Sequence, residues 1–166
     1  MNTTIRRAAP GDEQALAELN AFVHDFHVAN YPSHFRAVSL DEVAAGFRRL
    51  VDNAETRIWI ADEGQTLVGY VSVFLHERAE TPFTFSRRWY EIDQMAVRPD
   101  RRRMGIGRVL VEHVFADARE EGIKEVELTC WELNADAREA YQSLGFEKKF
   151  TRFWRKSGVD TPMRGF

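Results

Sequence analysis

The sequence predicts an α/β domain built on a single mixed sheet. Two amphipathic helical patterns come first, a β-hairpin follows, and a strand, helix, strand unit comes after it. A hairpin joins antiparallel strands and a crossover helix joins parallel ones, so one sheet holding both is mixed. No internal repeat, low-complexity stretch or Gly/Ser-rich or Pro-rich linker divides the chain, and 166 residues suit one domain over 1–166. With 44% hydrophobic residues and twelve phenylalanines there is enough apolar side chain for a core.

In order, a short strand lies near Thr3 to Ala8. After Pro10-Gly11-Asp12-Glu13, residues Leu16, Leu19, Phe22, Val23 and Phe26 recur at helical spacing. Ser39-Leu40-Asp41-Glu42 has the form of a capping box, with Val43, Ala44, Phe47, Leu50 and Val51 continuing an apolar face. The runs RIWIADEG and TLVGYVSVFLHE read as a hairpin turning at Glu63-Gly64-Gln65. A third long strand, WYEIDQMAV, stops where Pro99 denies the ladder a donor. Ile106, Val109, Leu110, Val114, Phe115 and Ala118 trace a helix ending at Gly122. EVELTCW is the parallel strand after it, turning Val126, Leu128 and Cys130 inward. Asn134 caps a last helix bearing Ala137, Ala140, Tyr141 and Leu144, Gly145 supplies its C-terminal turn, and FEKKFTRFWRK reads as closing strands.

Composition removes several function classes. A net charge of -3 argues against a surface that grips nucleic acid throughout. One cysteine, Cys130, allows neither an internal disulfide nor a multi-cysteine metal site, and reads as a small core residue of an intracellular, cytoplasmic protein. No run has the length of a secretory leader or a membrane span. His24, His27 and His34 lack the spacing of a metal motif, so no metal is expected. Phe22, Phe26, Tyr31, Phe35, Phe83, Phe85 and Trp89 are expected mostly in the core, with a few forming an aromatic wall.

Between Arg98 and Arg108 stand five arginines against one acid, Asp100, where the third helix begins. Cations at a helix N-terminus oppose its dipole, at about 0.3–1 kcal/mol each when exposed. A bound anion resolves that conflict, and Gly105 and Gly107 let backbone N–H groups approach it; a solvated basic turn is the competing reading. A third glycine is missing for a dinucleotide fingerprint, since Leu110 stands there, and Gly107-Arg108-Val109 is not a P-loop.

IDQMAVRPDRRRMGIGRVL resembles motif A of the GNAT superfamily of N-acetyltransferases, Arg/Gln-x-x-Gly-x-Gly/Ala, through Arg102, Gly105 and Gly107. NADAREAYQSLGF resembles the family's second block through Asn134, Ala137, Tyr141, Gly145 and Phe146. The resemblance implies an α+β sheet of about six to seven strands, splayed by a bulge in WYEIDQMAV and flanked by about four helices. It implies acetyl-CoA as co-substrate, with pantetheine along Met95, Ala96 and Val97, the pyrophosphate on the backbone of Arg103, Met104, Gly105, Ile106, Gly107 and Arg108 aided by Arg102, and further cofactor contacts from Asn134 and Tyr141. By the same resemblance the Met95 N–H polarises the thioester and Tyr141 is the general acid; a core tyrosine is the other reading. Asp93 or Glu91, directly or through water, is the base.

The expected reaction is transfer of an acetyl group to a primary amine of a small molecule or peptide by direct attack in a ternary complex. A non-catalytic acyl-CoA sensor of the same fold is the alternative, and nucleic-acid binding through the arginines ranks last because no aromatic stacking ladder accompanies them. Phe150, Phe153 and Trp154 offer apolar surface for a homodimer or for their own sheet.

Overall fold

The computed structural model describes residues 3–64 and 66–154. Chain order is β1 (Thr4–Arg7), α1 (Glu13–Asn30), α2 (Leu40–Val51), β2 (Thr56–Asp62), β3 (Leu67–Arg78), β4 (Arg87–Val97), a 3₁₀ turn (Pro99–Arg101), α3 (Ile106–Glu120), β5 (Val126–Leu128) and α4 (Ala135–Ser143). The five strands form one sheet in sequence order. β1 to β4 pair antiparallel and β4 pairs β5 in parallel, so the sheet is mixed as its connections require.

Local signals account for several boundaries. Ser39 Oγ accepts from the Glu42 N–H (3.3 Å) and Glu42 Oε2 accepts from the Ser39 N–H (2.9 Å), closing the capping box of α2. β4 ends two residues before Pro99. At the hairpin the Glu63 N–H donates to the Thr66 carbonyl (3.0 Å) and Gly64 takes φ +90°, while Gln65 lies outside the described residues.

Helices cover both faces of the sheet. On one, Leu16, Ala17, Leu19, Ala44 and Phe47 of α1 and α2 pack on Ile58, Ile60, Tyr70 and Ala96. On the other, Ile106, Leu110, Val111 and Val114 of α3 pack on Val71, Val73 and Ile92. α3 sits close because Gly69 has no side chain: a Cβ there would lie 3.0 Å from the Ala96 carbonyl oxygen, 3.1 Å from Ile106 and 3.3 Å from Leu110. Gly69→Ala is therefore expected to cost about 1–3 kcal/mol by overpacking, read as a lower urea midpoint with unchanged slope.

Three expectations are corrected. Five strands are present among the described residues rather than six or seven, because 146–154 forms none. Glu147-Lys148-Lys149 interrupts the apolar alternation there, and Lys149 bonds Glu125 (3.0 Å) and Glu127 through its side chain instead of joining a ladder; Arg155 and Lys156 lie outside the described residues. β5 stops at Leu128, so Cys130 stands half-buried beyond the strand. Phe83 and Phe85 are 95% and 86% exposed at the β3–β4 tip, far from core positions, and Phe150, Phe153 and Trp154 are exposed as well.

Candidate active site

The site grows out of an irregularity in β4. Ser72 of β3 pairs with Gln94 and the next residue, Val73, pairs with Ile92, so Asp93 is the extra residue of a bulge. β5 pairs with β4 only from Tyr90 to Ile92, and beyond the bulge β4 has no strand neighbour on that side among the described residues. The sheet opens at Asp93.

Register decides which backbone groups face the opening. The Arg98 N–H donates to the Val68 carbonyl (2.9 Å), which makes 68/98, 70/96 and 72/94 the hydrogen-bonded pairs of this ladder. The intervening Met95 and Val97 therefore turn their N–H and C=O groups away from β3, into the opening; Arg102 Nε reaches the Val97 oxygen at 3.4 Å. Ala96 bonds back to β3 and is buried against α1 and α2. The side chains of Met95 and Val97 pack on the α3 side, near Gly107.

Next to this edge lies an uncapped helix start. Gly105, at φ +83°, precedes α3 without a side-chain cap, and the first intrahelical bond runs from the Val109 N–H to the Gly105 oxygen (3.1 Å). The N–H groups of Ile106, Gly107 and Arg108 are left without intrahelical acceptors, and the first turn holds no acid. Arg103 is the one described non-glycine residue at positive φ, +62°, a strained conformation of the kind found where loops serve a ligand. Arg98 pairs with Asp100 (3.1 Å), and Arg101 with Glu63 (3.1 Å) and Asp100 (3.0 Å). Arg102, Arg103 and Arg108 have no carboxylate partner among the described residues, and Met104 is exposed beside them. The local excess of positive charge is therefore smaller than the arginine count, but it lies at the helix start.

The titratable groups meet near the bulge. Asp93 is open to the cleft, yet the protein around it withdraws enough water to raise its pKa; the neighbouring Glu91 adds to this and a hydrogen bond from Gln94 opposes it. Glu91 is engaged by His76 (Nε2 to Oε2, 3.0 Å). Burial, then the neighbouring Cys130, pushes the Tyr141 phenol up to about 12. Burial of Tyr70 raises its pKa, a hydrogen bond from Asn20 opposes this, and charge on Asp93 or Tyr141 raises it further. Asn134 Oδ1 caps α4 through the Ala137 N–H (3.2 Å), leaving its amide nitrogen for other contacts.

Two features had no signature in the sequence. Asn20, Tyr70 and Gln94 form a hydrogen-bonded ring beside the bulge. Trp131 packs against Tyr31 (centroids 4.3 Å), His34 (5.2 Å) and Phe35 (5.5 Å), while Tyr31 Oη accepts from the Leu133 N–H (2.8 Å), clamping the α1–α2 connection to the β5–α4 connection. The aromatic cluster joins residues a hundred positions apart; Tyr31 and Phe35 are among the candidates for an aromatic wall, but their partner Trp131 is not. His24 bonds the Arg36 oxygen (2.9 Å) and His27 stacks on Phe35. No group of three metal-ligating side chains occurs among the described residues, and no described helix is long and apolar enough to cross a membrane.

Comparisons with known proteins bear on the family and the fold. The chain is 28% identical over 135 residues to N-acetyltransferase family 8 member 3 of Rattus norvegicus, covering 80% of this chain and 58% of the rat protein. It is 38% identical over 58 residues to the [ribosomal protein bS18]-alanine N-acetyltransferase of Escherichia coli K12, covering 35% and 39%. The chain thus spans about half, or less, of the length of these relatives. In structure it is similar to a tetramutant of the BH1408 protein of Bacillus halodurans (TM-score 0.87, 24% identity, covering 92% and 99%). It is also similar to aminoglycoside N-acetyltransferase AAC(6')-Iy in complex with CoA (TM-score 0.73, 18% identity, covering 94% and 95%). The sequence model of the Acetyltransferase (GNAT) family matches residues 18–146, and the chain belongs to that family.

Proposed function

We propose that this chain transfers the acetyl group of acetyl-CoA to a primary amine by direct attack in a ternary complex, with residues 1–166 acting as one cytoplasmic domain. The carrying observation is the conjunction of two unsatisfied backbone surfaces, the outward edge of β4 at Met95 and Val97 and the uncapped first turn of α3. Pantetheine amides match the first as an added strand would, and a pyrophosphate matches the second together with Arg102, Arg103 and Arg108. Acetyl-CoA supplies an activated acyl carbon and a thiolate that departs.

The protein's own work is to move protons and orient. Asp93, directly or through a water, takes the proton that an ammonium must lose before nitrogen can form the new N–C bond, and its raised pKa suits it to that task nearer neutrality. The Met95 N–H faces the carbonyl oxygen, where negative charge gathers as the bond forms. Tyr141, held protonated, gives its proton to the sulfur as the C–S bond breaks, and the second proton shed by the acylated nitrogen passes through solvent, which restores the phenol. Glu91, paired with His76, biases Asp93 through its charge and is the second carboxylate able to serve. The names of two similar proteins, an alanine N-acetyltransferase and an aminoglycoside N-acetyltransferase, support an amine as the acceptor.

The test is acetyl-CoA with a panel of small amines, aminoglycosides and peptides carrying free termini or lysines, following released thiol. Turnover with one acceptor class is expected, and Asp93→Asn is expected to lower kcat by about 10²-fold. A chain that binds CoA but turns over nothing on that panel overturns the catalytic reading in favour of the sensor. A folded chain that does not bind CoA overturns both.

A further inference from the structure

The ring of Asn20, Tyr70 and Gln94 takes no step in the chemistry above, yet it adjoins the bulge. Tyr70 is fully buried and Asn20 is 7% exposed. Asn20 Nδ2 donates to Tyr70 Oη (2.9 Å) and to Gln94 Oε1 (2.7 Å), and Tyr70 Oη donates to Gln94 Oε1 (2.9 Å). Both amide hydrogens of Asn20, both roles of the hydroxyl and two acceptor sites of Gln94 Oε1 are thereby used. Turning the Gln94 amide over by itself would set its N–H groups against the donors of Asn20, so the ring fixes the two amides relative to each other, and Gln94 Nε2 points away from it.

The three side chains come from α1, β3 and β4, and Gln94 immediately follows Asp93. A bulge residue has no ladder partner of its own, so its direction depends on how firmly the flanking residues are held. Gln94 is held twice, by its backbone pairing with Ser72 and by the ring, so the residue that follows the bulge is fixed at both backbone and side chain. The other titratable groups coupled to Asp93 are Glu91 on its own strand, itself paired with His76, and Tyr70 from β3, whose phenol feels the Asp93 charge.

We propose that the Asn20–Tyr70–Gln94 ring is a positioning device that locks Gln94 and so fixes the direction of the adjoining bulge residue, holding the Asp93 carboxylate against the cleft for proton removal. This rests on Asp93 as the base of the proposed acetyl transfer. Gln94 is then a positioning residue for the reaction, with Tyr70 and Asn20 acting through it.

The test follows the Asp93 carboxyl carbon by NMR across pH in the intact protein, together with the pH profile of kcat, for wild type, Gln94→Met and Tyr70→Phe. The Gln94 bond lowers the Asp93 pKa, so its loss moves the Asp93 midpoint and the acidic limb of kcat to higher pH. In Gln94→Met, kcat is expected to fall by about tenfold with the KM for acetyl-CoA unchanged. Tyr70→Phe, which keeps the ring's shape and frees the Gln94 amide, is expected to shift both in the same direction by less, and it carries the test if Gln94→Met does not fold. Midpoint and limb both unmoved in the ring variants, with only thermal stability reduced, overturn the inference. Asp93→Asn separates the two layers of the account. If its acidic limb disappears while the ring variants keep theirs in place, the base stands and the ring's role fails. A limb that survives Asp93→Asn removes the base and this inference with it.

Discussion

Tyr141→Phe is expected to lower kcat by about a hundredfold or more while the KM for acetyl-CoA stays near its wild-type value. The ring of Tyr141 packs on α4 with Phe146 (centroids 6.1 Å), and phenylalanine preserves that contact. What the substitution removes is a proton, which the raised pKa of about 12 keeps on the phenol at neutral pH. A group so held cannot serve as a base near pH 7, but it can give a proton to a departing thiolate and recover one from solvent. Stability should change by less than about 1 kcal/mol, because only a hydroxyl at a half-buried position is lost. An undiminished kcat in a folded variant would return Tyr141 to the role of a packing residue.

Much of the framework was legible because its causes are local. The Ser39–Glu42 box, the stop at Pro99 and the glycine turn at 145 each depend on residues within a few positions of one another, and all three appear where the sequence puts them. The mixed sheet followed from the connections alone. The place of the bulge did not, since WYEIDQMAV alternates as a regular strand does and only the pairing with Ser72 and Val73 singles out Asp93.

The ring beside the bulge was illegible for a related reason. Its members are separated by 50 and 74 positions, and a buried Asn20 on an apolar helix face acquires meaning only when Tyr70 and Gln94 come to meet it. The arginine run was read too simply: charge counting cannot know that Glu63, from the β2–β3 turn, reaches Arg101. FEKKFTRFWRK was read from its aromatic residues, and its three consecutive charges prevailed over them within the described residues.

The second large effect concerns the start of α3, where stability and ligand binding are set against each other. Gly107 occupies the second helical position, and a Cβ there would lie 3.9 Å from Val97 Cγ2 and 4.0 Å from Met95 Cε, ordinary contact distances. Glutamate therefore fits. It replaces a poor helix former, gaining about 0.5–1 kcal/mol, and places a negative charge at a positive helix end for about 0.3–1 kcal/mol more. Arg102, Arg103 and Arg108 gain a counter-charge as well. The same carboxylate occupies the approach to the free N–H groups of the first turn and repels a pyrophosphate, so the affinity for CoA is expected to fall by at least about 100-fold. A basic turn with no ligand would show the gain in stability alone. The deciding measurement is a calorimetric titration of CoA into the wild-type chain and into Gly107→Glu, with thermal unfolding of both. The account predicts micromolar-range binding to the wild type, its loss in the variant, and an unfolding temperature in the variant equal to or above wild type; equal CoA affinity in the two proteins, or none in either, would contradict it.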